Sequence, residues 1–384
     1  MTVLDQEMIA NVLRPIEVAN GLPNAFYTDP DVHEAEKRVL FASTWACAGF
    51  AKDVPNKGDA NPISFLGQPL LVVRGDDGEV KVFQNVCRHR GMILVEEKTT
   101  LRSAIRCPYH SWCYNFDGSL RTTPHVGGPG QNLHDCIKRE ELGLIEVRSH
   151  IFLDTIFVNL DGKAPDFETH AATLLEQWKE FADKPLYHGG PESSFTLEVD
   201  CNWKLAVENY CESYHLPWIH PGLNSYSRLE DHYHIMQPGD YSGQGTVVYN
   251  PKLDDSGRAF ADFDGLSDKW DTGAEYISFY PNVLFGAHRD HVFAIMLDPQ
   301  GNGRTIERIE IYYTSPDMCG DDMLDLRKKN AEMWKGVFEE DIFVVEGMQR
   351  GRSASLYDGG KFSPVMDPPT HQFHEWVATR FAGK

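Results

Sequence analysis

The spacing of hydrophobic positions changes along the chain. Residues 1–40 carry short apolar runs among polar residues, and predict an N-terminal segment of short helices with an extended lead-in, packing on the larger C-terminal domain. From 41 to 160, short β-rich runs at 70–74, 80–85 and 151–159 alternate with turn sequences such as Gly75-Asp76-Asp77-Gly78 and Asp117-Gly118. That alternation predicts a small all-β domain. A linker is expected through Asp161-Gly162-Lys163-Ala164-Pro165. Across 161–384 the pattern mixes the two periods. Helix is expected over 174–181 and from Trp203 onward, with strands at 195–199, 246–249, 276–280, 291–297 and 306–314. A long helix is expected over 321–349, with Trp334, Phe338, Val345 and Met348 on one apolar stripe. The fold class is α+β: an all-β domain, then an α+β domain with an antiparallel sheet and a long C-terminal helix. No internal repeat is present.

Length and charge narrow this picture. A chain of 384 residues suits two domains with real cores. The net charge of −21 argues against nucleic acid and anionic membranes as partners. The first residues include Asp5 and Glu7 without an apolar segment, unlike a signal peptide, and apolar stretches such as 151–160 are too short to span a bilayer. The protein is expected in the cytoplasm, where its eight cysteines would be thiols or metal ligands. Cys47, Cys113, Cys136, Cys201 and Cys319 have no partner spacing and are expected in the core.

The strongest chemical signal is Cys87-Arg88-His89, followed after 17 residues by Cys107-Pro108-Tyr109-His110. Two Cys and two His fit tetrahedral zinc, or a 2Fe-2S cluster with Cys on one iron and His on the other. Zinc fingers pair Cys with Cys and His with His, whereas each half here has one of each. A second constellation is the run from Glu208 to His220, through Asn209, Glu212 and His215. On a continuous helix Glu208, Glu212 and His215 share a stripe, with an end near His215 because Pro217 follows. His220 would lie in a turn beyond it. Two His and one carboxylate suit non-haem Fe(II) that activates O₂. Asp341 is the candidate carboxylate: it lies on the apolar stripe of the long helix, where an unpaired charge is costly. Glu339 and Glu340 read as ordinary surface charge. No HExxH is present, no GxGxxG joins a strand to a helix, and Gly243-Gln244-Gly245 reads as a turn.

The first constellation resembles the Rieske motif. With the second, it resembles the catalytic α-subunits of Rieske non-haem iron oxygenases from about residue 40 to the end. The resemblance implies a helix-grip catalytic domain over 161–384 and a Rieske domain over 41–160. It implies Cys87 and Cys107 on one cluster iron, His89 and His110 on the other, and His215, His220 and Asp341 on a mononuclear Fe(II). Asn209 and Glu212 would be catalytic. Glu212 stands where the ring-hydroxylating members usually have Asp, at the electron bridge between a Rieske histidine of the neighbouring subunit (His110) and His215. A homotrimer follows by resemblance. So does a separate flavin and iron–sulfur reductase, through which alone NAD(P)H would act, with O₂ as co-substrate.

Glutamate at the bridge looks most like the branch acting on quaternary ammonium compounds: choline, carnitine, glycine betaine and proline betaine. The expected reaction is oxidative N-demethylation, releasing formaldehyde. Trp218, Tyr226, Tyr280 and Phe285 are the candidate substrate aromatics, with Tyr241, Tyr249 and Phe279 behind them. Arg228, His234 and His288 are candidates for a substrate carboxylate. Three competing readings are a ring-hydroxylating dioxygenase α-subunit, a Rieske electron carrier, and a zinc-binding interaction protein. The last two leave some 220 residues beyond the cluster, or the redox motif, without a task.

Overall fold

The computed structural model describes residues 6–254, 257–357 and 359–382. It divides into two compact units: residues 47–163, and residues 1–46 together with 164–384. Among the described residues no helix is long and apolar enough to cross a membrane.

The unit of 47–163 is all-β. Strands Asp59–Phe65, Gln68–Arg74 and Val80–Gln84 form an antiparallel meander, extended by Glu146–Phe152 and Thr155–Asn159. The run at 151–159, expected as one strand, spans the turn of this last hairpin and its second strand. Leu153 and Asp154 take φ of 47° and 64°, so the chain reverses in a two-residue turn whose handedness suits a twisted ribbon. A second, three-stranded sheet (Ile105–Arg106, Cys113–Tyr114, Leu120–Thr122) carries the second cysteine loop. A buried cluster including Phe83, Leu94, Ile105, Trp112, Tyr114 and Phe116 packs around Cys87 and Cys107.

The larger unit is built on an eight-stranded antiparallel sheet: β1 (Tyr187–His188), β2 (Ser194–Val199), β3 (His232–Ile235), β4 (Tyr241–Thr246), β5 (Ala274–Phe279), β6 (Val283–His288), β7 (His291–Pro299) and β8 (Thr305–Tyr313). The order is β8-β7-β6-β5-β4-β3, with β1 and β2 both paired to β8. Strands β4, β5 and β6 are buried along their whole lengths, as strands covered on both faces are. The expected strand at 246–249 lies earlier, because Gly243-Gln244-Gly245 is the middle of β4 rather than a turn. A Cβ on Gly243 would sit 2.0 Å from the Tyr276 carbonyl oxygen, and one on Gly245 would sit 2.3 Å from the Tyr233 ring. These glycines mark close approach of neighbouring atoms, which glycine within a strand can also signal.

Three helices matter for the site: α1 (Trp203–Tyr210), α2 (Leu324–Gly351) and α3 (Pro368–Phe381). Helix α1 is capped by the Asn202 side chain, which accepts from Lys204 N–H. It stops at Tyr210, five residues before the expected end. The Glu212 carbonyl accepts from Gln244 Nε2 at 3.1 Å instead of from a following helical turn, and a new helical turn with Pro217 near its start begins at Leu216. Glu208 therefore does not share a face with Glu212 and His215. It is buried among Tyr27, His374 and Arg352, at 2.5, 3.2 and 3.7 Å. Burial opposes its ionisation, but His374, Arg352 and Tyr27 outweigh burial and lower its pKa. Nearby, Lys204 Nζ meets Glu36 Oε1 at 2.6 Å with both side chains buried, so the N-terminal segment is tied to α1. Of the cysteines expected in the core, Cys47 and Cys201 are buried, Cys113 and Cys319 are half-buried, and Cys136 is exposed.

Candidate active site

Two loops of the all-β unit hold the Cys–His pairs, and they repeat one backbone pattern. Cys87 N–H donates to the Met92 carbonyl at 2.8 Å, and Gly91 N–H donates back to the Cys87 carbonyl at 3.0 Å. Cys107 N–H donates to the Trp112 carbonyl at 2.8 Å, and Ser111 N–H donates back to the Cys107 carbonyl at 3.0 Å. Each loop turns at a left-handed residue four positions after its cysteine: Gly91 at φ 74° and Ser111 at φ 59°. The loops bring the His89 and His110 rings to 4.7 Å between centroids, and Trp112 stacks on His89 at 4.8 Å. His110 Nδ1 is buried with no hydrogen-bond partner among the described residues. An orphaned imidazole nitrogen beside two buried thiols fits a metal cluster held by two Cys and two His. Tyr114, unremarked in the sequence, supports one loop: its hydroxyl accepts from Arg88 N–H at 3.0 Å and lies 3.3 Å from Cys87 Sγ.

In the larger unit, His215, His220 and Asp341 each turn one donor atom to a common point, all within 4.8 Å of one another. His215 begins the helical turn after α1, His220 ends it, and Asp341 comes from the middle of α2. Asp341 Oδ1 is buried and lies 3.0 Å from His220 Nε2 and 3.7 Å from His215 Nε2, with no well-directed hydrogen bond among the described residues. That geometry, with two imidazoles and one carboxylate, fits a divalent metal with open positions. The opposite face of each ring meets a second carboxylate. His215 Nδ1 is 2.6 Å from Glu212 Oε1, and His220 Nδ1 is 2.8 Å from Glu340 Oε2. Burial lowers the pKa of His220, but Asp341 and Glu340 together raise it. Glu340, expected as plain surface charge, is thus part of the site. Its signal was available: it is adjacent to Asp341, and a half-buried side chain can reach back to the same ring.

A cavity of about 40 Å³ opens on the triad. Asn209, Tyr210, Tyr276, Phe293, Trp334 and Phe338 line it, together with His232 and Gln244. His232 Nδ1 is 2.6 Å from Gln244 Oε1 and its Nε2 is 3.0 Å from Ser227 Oγ, and burial lowers its pKa. None of the four aromatics expected to contact substrate lines this cavity. Trp218 is 69% exposed and packs edge-on against Tyr214. Tyr226 contacts Met333 and Tyr249. Tyr280 is wedged against Phe373 and Trp376, and Phe285 against Trp178. Phe279 packs on Phe167 and His170, Tyr241 is buried in the core, and Tyr249 lies against His288 and Trp334. The three basic candidates also lie elsewhere. Arg228 pairs with Asp231, His234 meets the Val365 carbonyl, and His288 is buried beside Tyr276. Trp334 and Phe338 precede Asp341 by seven and three positions, so the helical period pointed to them. Tyr276 and Gln244 face each other across β5 and β4, which only the strand register reveals.

Comparison with known proteins agrees with this architecture. Residues 187–383 match the ring hydroxylating α-subunit (catalytic domain) family, and residues 44–137 match the Rieske 2Fe-2S domain. The chain belongs to the ring-hydroxylating α-subunit family and is a Rieske non-haem iron oxygenase, which takes electrons from a separate reductase. It is 28% identical to the carnitine monooxygenase oxygenase subunit of Escherichia coli K12, over 88% of this chain and 86% of that one. It is 25% identical to the glycine betaine monooxygenase oxygenase subunit of Pseudomonas aeruginosa PAO1, over 97% and 91%. Its fold matches the crystal structure of a quaternary ammonium Rieske monooxygenase in complex with substrate L-carnitine, at a TM-score of 0.75 and 24% identity over 99% of both chains.

Proposed function

We propose that this oxygenase hydroxylates an N-methyl group of a quaternary ammonium compound, with glycine betaine or proline betaine as substrate. The observation that carries the reading is the cavity. It sets five aromatic rings beside the His215/His220/Asp341 triad, and no Lys or Arg is among its lining residues. Aromatic faces attract a methylated ammonium, each worth about 0.5–2 kcal/mol when desolvated. The similarity to carnitine and glycine betaine monooxygenases points the same way.

In this reading Cys87, Cys107, His89 and His110 hold the cluster, and His215, His220 and Asp341 hold Fe(II). When bound, these groups supply electron transfer and O₂ activation. The residues of the chain place the substrate. Tyr276, Phe293, Trp334 and Phe338 surround the ammonium, with Asn209 at the cavity wall. The balance is R–N(CH₃)₃⁺ + O₂ + 2e⁻ + 2H⁺ giving R–N(CH₃)₂CH₂OH⁺ + H₂O. The N–CH₂OH bond then breaks to leave the tertiary amine, formaldehyde and a proton. Glu212 orients His215 and, in a head-to-tail homotrimer, accepts a hydrogen bond from His110 of the partner subunit. None of the eight cysteines forms a disulfide, which is compatible with a reducing, cytoplasmic setting.

The test is O₂ uptake and formaldehyde release by protein loaded with both centres, with an NADH-linked reductase, on glycine betaine, proline betaine, carnitine, choline and benzoate. Formaldehyde in step with a betaine supports the reading. Oxidation of benzoate alone leaves an oxygenase and removes the substrate assignment.

A further inference from the structure

An imidazole can bind metal through Nε2 only when its proton sits on Nδ1, and a carboxylate at Nδ1 holds it there. His215 has such a partner in Glu212. His220 has a different one. Asp341 and Glu340 are consecutive residues of α2, and they address opposite nitrogens of this one ring: Asp341 Oδ1 at 3.0 Å from Nε2, Glu340 Oε2 at 2.8 Å from Nδ1. The His220 ring is buried, while the Glu340 side chain is 46% exposed, so the contact sits at the rim of the site. Among the described residues Glu340 forms an ion pair with no lysine or arginine, unlike Glu339, which meets Lys335 at 3.6 Å.

We propose that Glu340 is a positioning residue that keeps His220 in its Nδ1-protonated form and orientation, and so sets the affinity of the mononuclear iron site. The inference rests on the reading of His215, His220 and Asp341 as the iron ligands. It assigns the two histidines separate carboxylates. Glu212 has a further duty at the proposed electron bridge, whereas Glu340 serves the ligand alone. Its removal should therefore weaken iron binding while leaving the cluster untouched.

The test titrates cluster-loaded, iron-stripped full-length protein with Fe(II) without oxygen, and records the electron paramagnetic resonance of its nitric oxide adduct. Removing a carboxylate behind a ligand histidine costs about 10–100-fold in metal affinity. Glu340→Ala is expected to raise the Kd by that factor and change the adduct signal, with the visible spectrum of the cluster and the melting temperature of the iron-free protein unchanged. Glu340→Gln, whose amide oxygen can still accept from Nδ1–H, should recover most of the affinity. Glu339→Ala should bind iron like the wild type. A Glu340→Ala protein with wild-type Kd and signal overturns the proposal, as does a Glu340→Gln protein no better than Glu340→Ala. Asp341→Ala separates the two layers. If that variant binds iron normally, the ligand assignment itself fails, whatever Glu340 does.

Discussion

The two candidate metal regions are built on different principles. In the all-β unit each Cys–His pair sits in a single loop, and both loops repeat the same two hydrogen bonds and the same left-handed turn residue. Spacing and geometry are local. In the larger unit the three donor atoms come from a short helical turn and from a helix about 120 residues later, and the supporting carboxylates come from both places. A site made of local loops can be read from a motif. A site made by tertiary convergence needs the fold.

The largest expected effect separates the two regions directly. Asp341→Ala should abolish turnover and lose mononuclear iron while keeping the visible absorption of the cluster. Cys107→Ser should do the reverse, losing the colour but still binding Fe(II). Metal analysis and absorption spectra of both variants check this. Loss of both centres in either variant would show that the two regions fold as one and break the comparison.

The second prediction asks whether the regions cooperate between subunits. Either variant alone should be inactive. If the proposed head-to-tail trimer forms, Cys107→Ser and Asp341→Ala co-expressed in mixed oligomers should recover activity, with the intact cluster of one subunit serving the intact iron of the next. Glu212→Ala should lower turnover by about 10–100-fold with both centres loaded, as loss of a carboxylate behind a ligand histidine does.

Legibility followed the same divide. Cys87, His89, Cys107 and His110 were identifiable from spacing, and structure added only Tyr114 and the turn geometry. Asp341 was identifiable because a charge on an apolar helical stripe is anomalous. Glu340 was missed because helical phase placed it off that stripe, although a glutamate side chain is long enough to fold back. The end of α1 was misplaced because the Gln244 side chain takes the Glu212 carbonyl, and nothing local announces that bond. The aromatics that line the cavity were not legible for the same reason. Trp218, Tyr226, Tyr280 and Phe285 were near the ligands in sequence or strand-like in pattern, whereas Tyr276, Phe293, Trp334 and Phe338 meet only through sheet register and helix packing.

Two smaller effects sharpen the account of the larger unit. Trp334 is buried, lines the cavity and donates from Nε1 to His291 Nε2 at 2.9 Å. Trp334→Ala should cost about 3–5 kcal/mol in denaturant unfolding of this unit, and leave the cluster spectrum unchanged. Glu307 on β8 is buried, and burial, aided by the charge of Asp341, pushes its carboxyl up to about 8. The fold keeps the proton that the unfolded chain releases near the ordinary glutamate value. Its contribution is therefore present at low pH and lost as pH rises toward 8. In iron-free protein Glu307→Gln should be more stable than wild type at pH 8, by about 1–3 kcal/mol, with the gap closing toward pH 5. Parallel melting curves across that range measure it.

The most direct test of the proposed activity needs no reductase. Protein with both centres loaded and chemically reduced is given O₂ and glycine betaine with deuterated methyl groups, in a single turnover. The account predicts deuterated formaldehyde and dimethylglycine in equal amounts, with nothing formed from benzoate. A hydroxylated benzoate product, with no formaldehyde from any quaternary ammonium compound, would contradict it.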